Sequence, residues 1–201
     1  NIVMIKREIQ NSILADFKRK KVIVLLGARQ VGKTTLLLSL QSDKERVLSL
    51  NCDNIDDRLL LEARTSTELK YLLSSYDMAF IDEAQRVKNI GLTLKMIGDL
   101  KLDTQIVVTG SSSFDMANEI NEPATGRLIE YNLYPFSLAE LAADTSEREE
   151  KRLLENRLIY GLYPEVVTEP ADAKRTLMSL TNNYLYKDLF SYKGLKKPDV
   201  I

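Results

Sequence analysis

Gly27-Ala28-Arg29-Gln30-Val31-Gly32-Lys33-Thr34-Thr35 is the stretch on which the fold turns. Its glycines allow backbone N–H groups to turn inward around an anion with no Cβ in the way. Lys33 adds a mobile point charge with the reach for β- and γ-phosphates. The Thr34 hydroxyl offers an oxygen to Mg²⁺, a hard cation. All nine residues from Gly27 to Thr35 are therefore candidate nucleotide-binding positions. Just upstream, Val22-Ile23-Val24-Leu25-Leu26 is an unbroken apolar run, as expected of a parallel strand buried on both faces. Downstream, Leu36-Leu37-Leu38 and Leu40 lie in a segment without Gly or Pro that reads as a helix. Phosphates would then sit on a helix N-terminus, where unpaired N–H groups and the dipole favour anions.

A second apolar run, Met78-Ala79-Phe80-Ile81, ends in two carboxylates, Asp82-Glu83, followed by Ala84-Gln85. An Asp at the carboxyl end of a strand beside a phosphate loop suits the water shell of Mg²⁺, which makes Thr34 and Asp82 the candidate metal residues. Glu83, one residue on, points the other way and is placed to polarise an attacking water. The pair resembles the Walker B element of P-loop ATPases that carry an added catalytic glutamate.

Composition narrows the chemistry. The 201 residues suit one main domain with a smaller appendage, and 44% apolar content is ample for a core. A net charge of −1 gives no global basic field for nucleic acid or anionic membrane. The single cysteine, Cys52, excludes a disulfide framework and fits a reducing cytoplasm. No apolar stretch approaches the roughly 20 residues of a membrane span, and no signal peptide precedes the first helix, with Met4 reading as a natural start. The chain has no histidine, which excludes Ser-His triads, imidazole acid–base catalysis and most zinc sites. Any water activation must come from a carboxylate.

Along the chain, Ile5, Ile9, Ile13, Leu14 and Phe17 recur at helical spacing and predict an opening helix over 4–19, closed by the solvated run Lys18-Arg19-Lys20-Lys21. Val47–Asn51 reads as a strand, and Asp53, Asp56 and Asp57 after it as turn and capping carboxylates. Thr65-Ser66-Thr67-Glu68 and Ser137-Leu138-Ala139-Glu140 are capping boxes. A helix across Leu92–Leu100, a strand at Gln105–Thr109 and a strand from Arg127 to Leu133 complete five strands between helices, the rhythm of an open α/β sheet. Ligands bind such sheets at the carboxyl ends of strands, where both motifs lie. The expected division is a core over 1–145 and a helical lid or linker over 146–201.

Taken together, these residues resemble bacterial and archaeal AAA-plus-like P-loop ATPases. The resemblance rests on the phosphate loop, on Phe80-Ile81-Asp82-Glu83-Ala84-Gln85-Arg86, and on Val107-Val108-Thr109-Gly110-Ser111-Ser112-Ser113. It extends to Gly126-Arg127, Tyr134-Pro135-Phe136-Ser137, Gly161-Leu162-Tyr163-Pro164-Glu165 and the closing Tyr184-Leu185-Tyr186-Lys187-Asp188-Leu189. It implies a mainly parallel sheet in the order 5-1-4-3-2, a helical lid, ATP as ligand and Mg²⁺ as its cation. It also implies catalytic parts for Lys33 and Glu83, a polar sensor at Thr109 or Ser111, and a functional arginine at Arg127 acting on a nucleotide, in a neighbouring subunit if the protein is a homo-oligomer. No clear second sensor arginine stands in the lid, where Arg157 and Arg175 are the candidates; ring assembly stays open. Relatives usually continue into a C-terminal domain of uncharacterised role, so the chain resembles an N-terminal fragment, with a DNA or protein client left open. Three readings follow: a Mg²⁺-dependent ATPase coupling hydrolysis to conformational change, a nucleotide-binding switch with negligible turnover, and a small-molecule kinase. The Asp82-Glu83 pair argues for the first over the third, because a kinase supplies an acceptor pocket instead of a water-activating glutamate.

Overall fold

The computed structural model describes residues 4–41, 46–111 and 126–182. Lys6–Ala28 and Gly32–Tyr134 make the larger of two compact units; the smaller takes in Ile5, Arg29–Val31 and the chain from Pro135 on.

The larger unit is built on β1 (Val22–Gly27), β2 (Val47–Asn51), β3 (Met78–Asp82), β4 (Gln105–Gly110) and β5 (Leu128–Leu133). All four neighbouring pairs are parallel, in the order β2-β3-β4-β1-β5. Read from the other edge this is 5-1-4-3-2, the order the resemblance implies. Every residue of β1 and β4 is buried, and β3 is buried through Ile81. The outer strands β2 and β5 mix buried and partly exposed positions. Continuous apolar runs therefore mark the strands covered on both faces.

Helix α1 (Ile9–Asp16) precedes β1, while α2 (Lys33–Leu40), α3 (Ile55–Leu59), α4 (Ser66–Leu73) and α5 (Ile90–Leu100) lie between successive strands. Alternate residues Val22, Val24 and Leu26 join Leu69 and Leu73 of α4 and Ile90, Leu94 and Ile97 of α5 in one core. Each such side chain contributes about 1.5–3 kcal/mol by leaving water. Both groups of the Thr65 capping box are made, satisfying two donors at the start of α4. The opening helix is shorter than its periodicity predicts. It runs as α-helix only over Ile9–Asp16, tightens to a 3-10 turn at Phe17–Arg19, and stops where Lys20 adopts φ 51. It buries Ile13 but leaves Leu14 40% exposed, while Ile5 belongs to the smaller unit. Within the basic run, Arg19 pairs with Asp16 and Lys20 with Asp103.

In the smaller unit, α6 (Leu138–Asp144), α7 (Glu147–Arg152), α8 (Leu154–Tyr160), α9 (Pro164–Thr168) and α10 (Ala173–Leu180) follow in order. The two compact units divide between Tyr134 and Pro135, whereas the expected boundary lay at 145. The reason lies in α6, whose Leu141 is buried with Phe136 and Ile5, while the Phe136 amide donates to the Leu162 carbonyl. The second capping box, Ser137 with Glu140, fixes the start of that helix. Gly161, at φ 74, ends α8, and Pro164 opens α9 at its first position, where a missing N–H costs nothing. Arg157 donates twice to Glu150, at 3.0 Å each, in a pair whose side chains are 10% and 6% exposed. That commitment removes Arg157 as a free second sensor; Arg175 is 87% exposed beside Asp172. Tyr184–Leu189 lies outside the described residues.

Candidate nucleotide site

Parallel strands bring their carboxyl ends to one rim. Leu25 of β1 is level with Thr109 of β4, and Ile81 of β3 with Val108, so Gly27, Asp82 and Gly110 emerge on the same side. Beyond β1 the chain turns at Gln30 (φ 59) and at Gly32, whose φ of 96 is open to glycine at little cost. Gly32 is the N-cap of α2, and its carbonyl accepts from Leu36 at 2.9 Å. The amides of Lys33 and Thr34 thus start a helix at the mouth of the turn.

Lys33 is only 6% exposed, and its Nζ donates to the carbonyls of Gly27 and Ala28, 2.9 Å each. The ammonium is therefore folded onto the loop that it serves. Its side chain is an internal brace as well as a candidate phosphate ligand. Thr34, exposed at the next position, donates its hydroxyl to Asp82 Oδ2 at 2.9 Å. Thr35 is exposed one step further along α2, and Val31 is fully buried.

Asp82 is held from two sides. The Thr109 hydroxyl donates to its other oxygen, Oδ1, which also accepts from the Glu83 amide at 3.1 Å. Thr109 has no exposure, and its Oγ also accepts from the Glu83 amide at 3.3 Å. The structure thus puts Thr109 behind Asp82, whereas Ser111 lies beyond the end of β4 and is 8% exposed. Ser112 and Ser113 fall outside the described residues.

Glu83 follows the last residue of β3 with φ 53 and ψ 40, a left-handed conformation that costs a side-chain-bearing residue roughly 1–2 kcal/mol. Strain of this kind persists where the surroundings over-determine it. Here they do, through the Glu83 amide contacts and a 3-10 turn over Ala84–Arg86. The Gln85 Nε2 donates to Glu83 Oε2, a contact invisible to motif reading; its only trace in the sequence is a glutamine two places after the glutamate.

Thr34 and Asp82 suit Mg²⁺. They present one hydroxyl and one carboxylate oxygen in mutual contact at the start of α2. That is the sparse, hard donor set of a cation that keeps water and phosphate oxygens for the rest of its shell. Among the described residues no group of three or more Asp, Glu, Cys or His forms a separate metal cage. Asp53 is taken by Arg86, and Asp57 accepts from the Asn51 amide. Burial, with Asp57 and Asp82 adding to it, pushes the neighbouring Cys52 thiol up to about 12 and keeps it protonated at neutral pH.

Arg127 is not brought to this rim. Its carbonyl accepts from Val22, the first residue of β1, while the phosphate loop begins at the last. Five steps of parallel strand separate the two levels by roughly 16 Å. Its guanidinium donates to Asp99 on α5, and its stem lies where Gly98 has no side chain; a Cβ there would meet Arg127 Cβ at 2.9 Å. Within its own chain Arg127 thus occupies the opposite end of the sheet from the phosphate loop, which leaves the expected action on a nucleotide to a second copy.

Residues 19–142 match the AAA domain family. The chain belongs to that family. It is an AAA-type P-loop domain, and the phosphate loop is its candidate nucleotide-binding element. An uncharacterised protein of Haemophilus influenzae is 28% identical over 217 aligned residues, which take in 98% of this chain and 54% of the relative. The chain thus spans about half the length of that curated relative. Among solved structures, a Walker-type ATPase of Pyrococcus abyssi has a TM-score of 0.62 over 93% of this chain and 75% of its own, at 14% identity. That likeness speaks for the fold. Caenorhabditis elegans PCH-2 is more distant, with a TM-score of 0.43, 16% identity, and 73% and 46% of the two chains covered. Among the described residues no helix is long and apolar enough to cross a membrane.

Proposed function

We propose that this chain hydrolyses ATP in a Mg²⁺-dependent manner, with Glu83 as the water-activating group. The observation that carries the reading is the joined set Thr34–Asp82–Glu83. A metal-suited hydroxyl and carboxylate touch, and a strained glutamate is fixed to that carboxylate through its own amide.

Lys33 exchanges the Gly27 and Ala28 carbonyls for phosphate oxygens, and the amides opening α2 donate to the same group. Thr34 and Asp82 hold Mg²⁺, which when bound neutralises charge on the phosphate oxygens. Thr109 orients Asp82 by donating to it. Glu83 accepts a proton from water at the rim, since the chain offers no imidazole for the task. Ser111 is the residue best placed to sense the terminal phosphate. Purified protein with ATP, Mg²⁺ and no acceptor should release inorganic phosphate. Consumption of ATP only when a small-molecule acceptor is added would turn the reading to a kinase.

A second reading, a nucleotide switch with little turnover of its own, is favoured by the place of Arg127. Phosphoryl transfer gains a factor of about 10³–10⁵ from an arginine at the transition state, and Arg127 faces Asp99 instead. Within the hydrolytic reading Arg127 acts on the nucleotide of a second copy. Arg127→Ala mixed with Lys33→Ala should then recover activity that neither variant shows alone. Parent-like turnover by Arg127→Ala by itself would discard the role in trans. The coupling of turnover to movement of the helical unit from Pro135 on, and a client bound through a further domain, belong to the same proposal.

A further inference from the structure

Among the described residues, the Gln85 side chain holds the Glu83 carboxylate and also reaches the backbone of Ser111. Gln85 Nε2 donates to Glu83 Oε2, while Gln85 Oε1 accepts from the backbone amide of Ser111, a long contact at 3.4 Å. A primary amide is the group for such a bridge, because it carries a donor and an acceptor on one rigid plane. Its own mount is firm. Ala84 has no exposure and Val87 2%; the Val87 amide donates back to the Ala84 carbonyl at 2.9 Å; and Arg86 pairs with Asp53 at 3.0 Å. The left-handed turn at Glu83 is what brings residue 85 back over residue 83.

We propose that Gln85 is a positioning residue that ties the Glu83 carboxylate to the Ser111 end of β4, so that base and sensor are set as one unit. The proposal rests on the hydrolytic reading above. It gives the bridge a direction: Oε2 of Glu83 accepts from Gln85, and among the described residues Oε1 is the oxygen without a side-chain donor, so it is assigned to water. A displacement of Ser111 moves the Gln85 amide plane and with it the base. The connection runs through one side chain between two strand ends, a contiguous path that a local perturbation can break.

Gln85→Met keeps length and volume but removes both hydrogen bonds. Gln85→Glu keeps the acceptor for Ser111 and sets a second carboxylate against Glu83. With Mg²⁺ and ATP, both should lose on the order of tenfold to a hundredfold in kcat, as expected of a misplaced reacting group, at unchanged ATP affinity. In single turnover, Gln85→Met should add nothing further in a Glu83→Gln background, since a residue acting through Glu83 has nothing left to position. In the ligand-free protein, the Gln85 side-chain amide signal, identified in ¹H–¹⁵N spectra by its loss in Gln85→Met, should shift when Glu83 becomes Gln. Parent-like kcat in Gln85→Met while Glu83→Gln is inactive would overturn the positioning role and leave the hydrolytic reading standing. Independent, additive losses, or an amide signal indifferent to Glu83, would overturn it equally. Near-parent hydrolysis by Glu83→Gln would instead remove the reading beneath it.

Discussion

Glu83→Gln is expected to keep ATP and Mg²⁺ bound while losing on the order of 10²–10⁴ in the rate of hydrolysis, the usual worth of a general base. The glutamine retains the size and one acceptor oxygen but has no charge with which to draw a proton from water. It also changes the partner of Gln85 from a carboxylate to an amide, at a position already strained to φ 53. Asp82→Asn should behave differently, because Asp82 is in contact with Thr34 and Thr109. There the metal dependence should move to higher Mg²⁺ as well as the rate falling. Single-turnover phosphate release, with binding measured separately by calorimetry, distinguishes the two. A Glu83→Gln protein that hydrolyses like the parent would favour the switch or kinase readings.

Lys33→Ala should weaken ATP binding by at least about 10²-fold, the scale for removing a charge-assisted contact to a charged ligand. Motif reading makes Lys33 a mobile point charge that answers to the phosphates. The structure assigns it a second job, since the ammonium is buried and donates to both Gly27 and Ala28. Truncation therefore leaves two carbonyls without that donor, and a stability loss of roughly 1–3 kcal/mol is expected in the empty protein. Calorimetry with ATP and Mg²⁺ reads the first effect and chemical denaturation without nucleotide reads the second. Unchanged affinity would remove the loop from the site; unchanged stability would show that the brace carries no weight.

Local signals carried far in this chain. The run Val22–Leu26 before Gly27, and Met78–Ile81 before Asp82, announce strands buried on both faces, because only helices on both sides of a parallel sheet bury every side chain. Thr65 with Glu68, and Ser137 with Glu140, announce helix starts, because the reciprocal bonds involve only residues three apart. Thr34 and Asp82 are recognisable by type, and their contact follows once β1 and β3 are placed in one sheet. What spacing alone could not give is anything decided across strands. Thr109 reads as a sensor from its position at the end of β4, but the register sets its hydroxyl against Asp82. Arg127 reads as a nucleotide-facing arginine from its neighbours in sequence, but parallel pairing puts the start of β5 beside the start of β1, away from the rim where β1 ends. Gln85 stands in the acidic motif with no role of its own, and its contact with Glu83 is seen only where a left-handed turn at Glu83 leads into the turn that carries residue 85. Periodicity and caps are properties of a few consecutive residues, so the strands, most helix starts and the phosphate loop can be read from the chain alone, while the end of the opening helix cannot. Which end of the sheet a residue occupies, and which hydroxyl meets which carboxylate, depend on pairings between residues tens of positions apart, and only the tertiary structure decided those.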